Sequence, residues 1–418
     1  MEPYMDIMEK ANVDKLKNWL LKLDTFKTEG PGTTRLALSP EEMRARVWIK
    51  GEMAALGLEV SEDGAGNICG RLKGTDPSLA AVWTGSHIDT VCEGGMFDGA
   101  AGVFAGMEAA RLISEAKIPH KRDICVRIYT SEESARFGMG CIGSRALAGR
   151  LKREDLSGIT GSDGISLESL LKDGGFPVDE FEKIPVKKGD VYASVELHIE
   201  QSPNLEKNNK TIGIVDAICA PSNSMITITG QQSHAGGTSM ADRKDAFMAA
   251  AEIALALEES AKQALSAYTT GTVGYVSVSP DTVNVIPGRA VISIDIRDCD
   301  FASKTYVMEN FLKKAREIAG RRGVGIEIEE KSNDVPMKCD EKITAVIEKA
   351  CQDRGASYMH TVSGAYHDSL FIGEFAPVGM IFVPSKDGIS HSPAEWTEFE
   401  DIAAGTDILV QTLLELAR

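Results

Sequence analysis

The chain has 418 residues, 43% hydrophobic and 26% charged, a globular composition too long for one ordinary core, so two domains are expected. Its formal net charge of −17 argues against a polyanion partner, because contacts to phosphates need clustered Lys and Arg; nucleic acid is not expected. No stretch is apolar for the length a membrane span requires, and Met1-Glu2-Pro3-Tyr4-Met5-Asp6 has neither the basic region nor the apolar core of a secretory signal. The cysteines (Cys69, Cys92, Cys125, Cys141, Cys219, Cys299, Cys339, Cys351) are scattered without a C-x-x-C pair, as expected of reduced thiols in a cytoplasmic protein.

In chain order, an amphipathic segment around Val13 to Leu23 comes first. Ser39, Pro40 and Glu42 then spell a capping box, opening a helix that runs to Leu56 and stops at Gly57. Short strands are expected at Leu58 to Val60 and Asn67 to Leu72, followed by the apolar run Leu79 to Trp83. That run ends in Thr84-Gly85-Ser86-His87-Ile88-Asp89, and Gly94-Gly95-Met96-Phe97-Asp98-Gly99 leads into a helix-like segment reaching Ala116. The strand Ile124 to Thr130 ends in Ser131-Glu132-Glu133, and Tyr192 to Leu197 ends in His198-Ile199-Glu200-Gln201. Val378 to Val383 exits into a loop carrying His391. Four polar clusters therefore sit at the C-terminal ends of apolar strands, the edge where open α/β sheets bind ligands.

Between these lies a segment with its own pattern. Strands are expected at Asn223 to Thr229, Gly271 to Val278, Ala290 to Arg297 and Gly325 to Glu329, with helices at Asp242 to Lys262 and Ser303 to Ala319. This β-α-β-β-α-β order is that of a ferredoxin-like two-layer domain. The expected architecture is therefore α/β: a discontinuous larger domain, 1–219 and 334–418, whose mixed sheet is flanked by helices, and an inserted α+β domain at 220–333.

His87, Asp98, Glu133, His198 and His391 offer imidazole and carboxylate donors of the kind a catalytic divalent metal takes. They suffice for two ions if Asp98, on its tight glycine-bounded turn, bridges. Paired ions roughly 3.5–4 Å apart polarise a carbonyl and bring the pKa of water from 15.7 to about 7. Zn²⁺, Mn²⁺, Co²⁺ and Ni²⁺ all suit such donors. Successive side chains at a strand end diverge, so Glu132 and Glu133 are expected to divide the work, one as ligand and one as general base. Arg297 lies on the polar face of a strand where Ile292, Ile294 and Ile296 alternate. It can present its fork to a carboxylate or pair structurally with Asp295.

Gly85-Ser86-His87-x-Asp89-Thr90, Gly94-Gly95-x-Phe97-Asp98-Gly99, Glu132-Glu133-x-x-Arg136-Phe137 and His198-Ile199-Glu200-Gln201 are joined by three later motifs. These are Ser233-His234-Ala235-Gly236, Asn284-Val285-Ile286-Pro287-Gly288 and Ser363-Gly364-x-x-His367-Asp368. Together, in matching order over nearly the whole chain, they resemble the di-metal amidohydrolases related to aminoacylases. More narrowly they resemble the branch of N-carbamoyl-L-amino-acid hydrolases, allantoate amidohydrolases and β-ureidopropionases. The resemblance implies one ion held by His87, Asp98 and His198 and another by Asp98, Glu133 and His391. It implies Glu132 as general acid/base and Asp89 as the group orienting His87. His198, where peptidase and deacylase relatives place an acidic residue, points to the ureido-hydrolysing branch. The inserted domain is then a dimerisation domain and lid, with His234 stabilising the oxyanion across the homodimer. Asn284 and Arg297 would bind the substrate carboxylate, and Gln201, Gly364 and His367 would complete the substrate site.

The implied reaction is hydrolysis of an N-carbamoyl-L-amino acid. The alternatives are allantoate hydrolysis and, behind it, an aminoacylase or dipeptidase activity or an inactive metal-stabilised scaffold. The chain departs from related sequences at Ser134, Ser202 and Tyr366, where glycine is usual, and Tyr366 stands to reshape the substrate pocket. Gly138-x-Gly140-x-x-Gly143 matches a dinucleotide fingerprint, but the preceding Glu-Glu pair would repel a pyrophosphate and no clean βαβ unit follows. No G-x-S-x-G elbow supports a serine hydrolase. His120 and His360 are expected to be surface or packing residues.

Overall fold

The computed structural model describes residues 9–418, so the N-terminal hexapeptide considered above for a signal lies outside them. The amphipathic segment forms the helix Val13–Asp24, capped by Asn12 and burying Leu16, Trp19, Leu20 and Leu23. In the helix Pro40–Ala55, Ser39 Oγ accepts the Glu42 N–H at 3.2 Å. The reciprocal half of the expected box is not made. Glu42 accepts the Leu38 N–H at 3.1 Å and pairs with Arg46 Nε at 2.6 Å instead, with both charges buried. Once burial removes water, a carboxylate must face its guanidinium, and that outweighs one capping bond.

The strands in chain order are β1 (Glu59–Glu62), β2 (Ile68–Leu72), β3 (Ala81–His87), β4 (Ile124–Tyr129), β5 (Val191–Ile199) and β6 (Ile212–Ile218). Then come β7 (Ala220–Thr229), β8 (Ser233–His234), β9 (Thr270–Thr272), β10 (Val276–Ser279), β11 (Val285–Ile286), β12 (Arg289–Asp298) and β13 (Gly325–Asn333). β14 (Met337–Lys338), β15 (Tyr358–Ser363) and β16 (Val378–Val383) complete the set.

The chain divides into two compact units. One holds the residues up to 216 with 339–361 and 367–418; the other holds 217–338 with 362–366. The second unit thus takes in 217–219, 334–338 and 362–366, which the sequence pattern assigned to the larger domain. Hydrogen bonding is the reason: β14 pairs with Ala217 and Ile218, and the Cys219 N–H reaches the Ser363 carbonyl at 2.9 Å.

In the first unit the strands run in the order β1-β2-β4-β3-β5-β16-β6. The inner pairs β4–β3, β3–β5 and β5–β16 are parallel. The chain leaves β3 for β4 on one side and later returns to β5 on the other, so the order reverses at β3, the place where open sheets form a ligand crevice. β3 continues four residues past the expected Trp83, because its ladder with β4 persists to His87 opposite Tyr129. β5 likewise continues to Ile199, held against Val383 of β16. His87 and His198 are therefore strand residues, fixed by backbone pairing rather than by a loop. The helices Ala100–Glu115 and Phe399–Leu416 join one apolar core with Val13–Asp24 and the sheet. Ala100–Glu115 buries every residue from Ala100 to Ile113, the signature of a helix enclosed on all sides.

The second unit is an antiparallel sheet, β10-β12-β7-β13, with β9 added beside β12. Its helices, Ala246–Lys262 and Phe301–Arg322, share a core with Ile226, Ile228, Ile292, Ile294 and Ile296. The first helix starts later than the expected Asp242 because Asp245, accepting the Phe247 and Met248 N–H groups, is its cap. The single strand expected at Gly271 to Val278 is split into β9 and β10, with Gly274 and Tyr275 N–H groups donating to Ser293 Oγ.

Candidate metal centre

Five of the expected residues converge at the C-terminal ends of β3, β4, β5 and β16. His87, Asp98 and His198 form one group and Asp98, Glu133 and His391 a second, with the ligand atoms of each group all within 4.8 Å of one another. Asp98 belongs to both and divides its oxygens between them. Oδ1 lies 3.2 Å from His198 Nε2 and 3.6 Å from His87 Nε2, while Oδ2 lies 3.1 Å from His391 Nε2. His391 Nε2 is also 3.2 Å from Glu133 Oε1. Borderline nitrogen and hard oxygen donors at these separations fit divalent metal ions, and the buried carboxylate is the type of group that needs a cation.

Local geometry explains the convergence. His87 Nδ1 bonds the Asp89 carbonyl and His198 Nδ1 the Ile199 carbonyl, both at 2.9 Å, which turns each Nε2 toward Asp98. Gly99, at φ 65°, opens the helix behind Asp98; a Cβ there would lie 2.4 Å from His87 Nε2, so only glycine leaves room for the imidazole. Ser131, Gln201 and His391 all have left-handed backbones, at φ 54°, 58° and 53°. Such conformations concentrate where surrounding structure holds a side chain in a required direction.

The electrostatics favour positive charge around Asp98. Burial opposes ionisation of Asp98, yet His198, His391 and His87 hold its carboxyl well below the usual range. His391 is raised to about 11 by its bonds to Asp98 and Glu133. Burial would lower His87 and His198, but their carboxylate neighbours raise both. Divalent ions must therefore displace imidazolium protons. Metal affinity is expected to rise through the neutral range by about tenfold per pH unit for each proton released. Titrations of the metal-free protein at pH 6, 7 and 8 check this; a pH-independent affinity would contradict it.

Glu132 lies alongside, with Oε2 at 3.7 Å from His87 Nε2, and belongs to neither ligand group. Burial, reinforced by Glu133, Asp368 and Asp98 against the pull of His87, raises its pKa well above the carboxylate range. Asp89 meets His87 Nδ1 through its backbone carbonyl at 2.9 Å, and its carboxylate stands 3.8 Å from the same nitrogen. Its oxygens accept the N–H groups of Glu132 and Glu133, at 3.2 and 3.0 Å, and so fix the two glutamates. Gln201 Nε2 donates to Asp98 Oδ2 at 2.9 Å, and the His367 ring lies 4.4 Å from that of His198.

The remaining expected residues lie in the second unit. His234 pairs with Val285 across β8 and β11, beside Asn284, whose carbonyl accepts the Ala235 N–H. Arg297, on β12, is engaged by Asp295 through Nε and Nη2 at 3.0 Å, so the structural pair is real, and the Tyr366 ring lies 5.9 Å from its Cζ. Gly364 falls in the crossing 362–366. His360 pairs with Asp216 at 2.8 Å, and His120 bonds the Ile118 carbonyl. The cysteines are free thiols; Cys92 in the metal loop is exposed, whereas Cys141 Sγ approaches Glu132 Oε1 at 3.8 Å.

Sequence reasoning missed the buried polar residues beneath and beside the centre. Glu196 accepts hydrogen bonds from Ser86 and Ser369 and forms a third group with His198 and His367. Its position two residues before His198 on one strand was a signal, since period-2 alternation puts both on one face. Asp368, raised to about 8 by burial and Glu196, accepts from Ser144 at 2.5 Å. Glu395 is raised to about 7 by burial and Asp98.

Comparison with known proteins gives this centre its context. Residues 83–415 match the family described as Peptidase family M20/M25/M40. The chain is 40% identical over 406 residues to the N-carbamoyl-L-amino acid amidohydrolase of Geobacillus stearothermophilus, covering 97% of this chain and 98% of that one. It is 38% identical over 391 residues to the ureidoglycolate hydrolase of Oryza sativa subsp. japonica, 93% and 81% of the two chains. It is 36% identical over 390 residues to the allantoate amidohydrolase of Bacillus subtilis (strain 168), 92% and 93% of the two. The crystal structure of AtUAH in complex with (S)-hydroxyglycine superposes with a TM-score of 0.91 at 35% identity, covering 99% of both chains. With imidazoles and carboxylates gathered at the ends of parallel strands as a divalent-metal site requires, the chain belongs to the peptidase M20/M25/M40 family and is an enzyme that hydrolyses amide-type bonds.

Proposed function

We propose that this enzyme hydrolyses the carbamoyl C–N bond of an N-carbamoyl-L-amino acid, giving the amino acid, CO₂ and ammonia. One observation carries the proposal: a single buried carboxylate, Asp98, offers one oxygen to each of two ligand groups, and a carboxylate belonging to neither, Glu132, stands beside them. His87, Asp98 and His198 would hold one divalent ion and Asp98, Glu133 and His391 another. Bound there, zinc, manganese, cobalt or nickel would supply Lewis acidity and lower the pKa of water to about 7.

Glu132 takes the proton of the attacking water and delivers it to the departing nitrogen. Asp89 keeps Glu132 and Glu133 in place through their backbone N–H groups. Gln201, tied to Asp98, and His367, its ring tilted against that of His198, contact the ureido group, with Gly364 lining the approach. His234 stabilises the developing oxyanion, and Asn284 and Arg297 bind the substrate carboxylate. Asp295 uses only the Nε and Nη2 edge of Arg297, leaving Nη1 free of that pair.

A homodimer through the inserted unit is part of the proposal. Phe247, Met248, Leu255, Tyr275 and Val276 are exposed on it, and β10 is a sheet edge. Among the described residues no helix is long and apolar enough to cross a membrane. A cytoplasmic location is proposed from the cysteine pattern.

The test is ammonia release from a panel of N-carbamoyl-L-amino acids, with allantoate and ureidoglycolate alongside, after supplying each metal to the stripped enzyme. Turnover of allantoate or ureidoglycolate in preference to every N-carbamoyl-amino acid would replace the substrate and favour the second reading, which the rice and Bacillus relatives support. Arg297→Ala is expected to raise KM for carboxylated substrates by about 10–100-fold with kcat less affected, the cost of one charge-assisted contact. An unchanged KM removes Arg297 from the site.

A further inference from the structure

Glu395 is buried, and its carboxylate serves two segments that carry candidate ligands. Oε1 accepts the N–H of Phe97 at 3.0 Å and of Asp98 at 3.2 Å; Oε2 accepts the Ser390 hydroxyl at 2.7 Å. Ser390 immediately precedes His391, and its Oγ also lies 3.3 Å from Gln201 Nε2 and 3.5 Å from Asp98 Oδ2. Gly95 completes the fit: a Cβ there would come within 2.0 Å of Glu395 Oε1, so the missing side chain makes the cradle that admits the carboxylate.

We propose that Glu395 is the positioning residue that aims the Asp98 carboxylate between the two ligand groups and sets His391 against it. The proposal rests on the two-ion reading above. Asp98 can divide its oxygens only if its Cα is held still, and the backbone N–H bonds of residues 97 and 98 do this. The same carboxylate fixes Ser390, so the loop bearing His391 and the turn bearing Asp98 move as one piece. Groups that orient metal ligands in this way change metal affinity by about 10–100-fold when removed.

The experiment titrates Mn²⁺ and Zn²⁺ into chelator-stripped wild type, Glu395→Ala, Glu395→Gln and Gly95→Ala, reading equivalents bound and Kd, with the thermal midpoint of each metal-free protein in parallel. Glu395→Ala is expected to weaken binding about 10–100-fold. Gly95→Ala, which keeps Glu395 but displaces its carboxylate, is expected to do the same. Glu395→Gln, still able to accept the two backbone N–H bonds, is expected to recover part of the loss. Wild-type Kd in a folded Gly95→Ala or Glu395→Ala protein, with only the thermal midpoint lowered, overturns the proposal and leaves the two-ion reading standing. A wild type that takes up fewer than two ions sinks both.

Discussion

Glu132→Gln is expected to bind metal as tightly as the wild type and to lose about 10²–10⁴-fold in kcat, the usual contribution of a positioned general base. The two outcomes separate because Glu132 belongs to neither ligand group. The amide is nearly isosteric, and the backbone N–H bond to Asp89 Oδ1 survives the change. What disappears is the ability to accept a proton at Oε2. Burial, with Glu133, Asp368 and Asp98 as neighbours, already raises this carboxyl well above its ordinary value. A carboxylate so placed, beside both ligand groups and outside them, can take a proton from water and give it up to a leaving nitrogen. Metal content and ammonia release measured on one preparation test the split. A loss of less than tenfold would move the base elsewhere.

Asp98→Ala is expected to be the most damaging single change at the centre. It removes one ligand from both groups at once, so uptake of both ions is expected to weaken by more than about 100-fold, beyond what loss of an outer contact costs. The metal-free protein gives a second readout. Asp98 is depressed from 3.8, and its contribution to stability is present above that value and lost as pH falls through the folded pKa. His87 and His198 are raised from 6.5, and His391 from 6.5 to about 11; their contributions are fully present below 6.5 and lost as pH rises through the folded values. The metal-free variant is therefore expected to fall furthest below wild type between about pH 4 and 6.5, where both conditions hold, with the gap closing above that window. Denaturant unfolding across the pH range measures it. A constant gap would mean that the imidazoles do not depend on Asp98.

Much of this was legible along the chain, in particular places and for particular reasons. The alternation of Ile292, Ile294 and Ile296 set which face of β12 is apolar and left Asp295 and Arg297 together on the other. The run Val378 to Val383 gave β16 its bounds, since a strand buried on both faces is apolar throughout. Less legible was where ladders end. β3 and β5 run on through polar residues because their neighbours still offer backbone partners, and no local pattern carries that information. Glu42 illustrates the same limit: its spacing from Ser39 spells a capping box, while the Arg46 guanidinium decides where the carboxylate goes.

Taken alone, the chain determined which residue types close each strand, and so which histidines and carboxylates stand at one edge of a sheet, because periodicity and end signals are local. Only the tertiary structure decided that Asp98 turns one oxygen to His87 and His198 and the other to His391. It alone placed Asp89 under the two glutamates and brought Glu395 to Asp98 across 297 residues. Those choices follow from buried polar groups finding partners once water is excluded, and the partner nearest in space is rarely the one nearest in sequence.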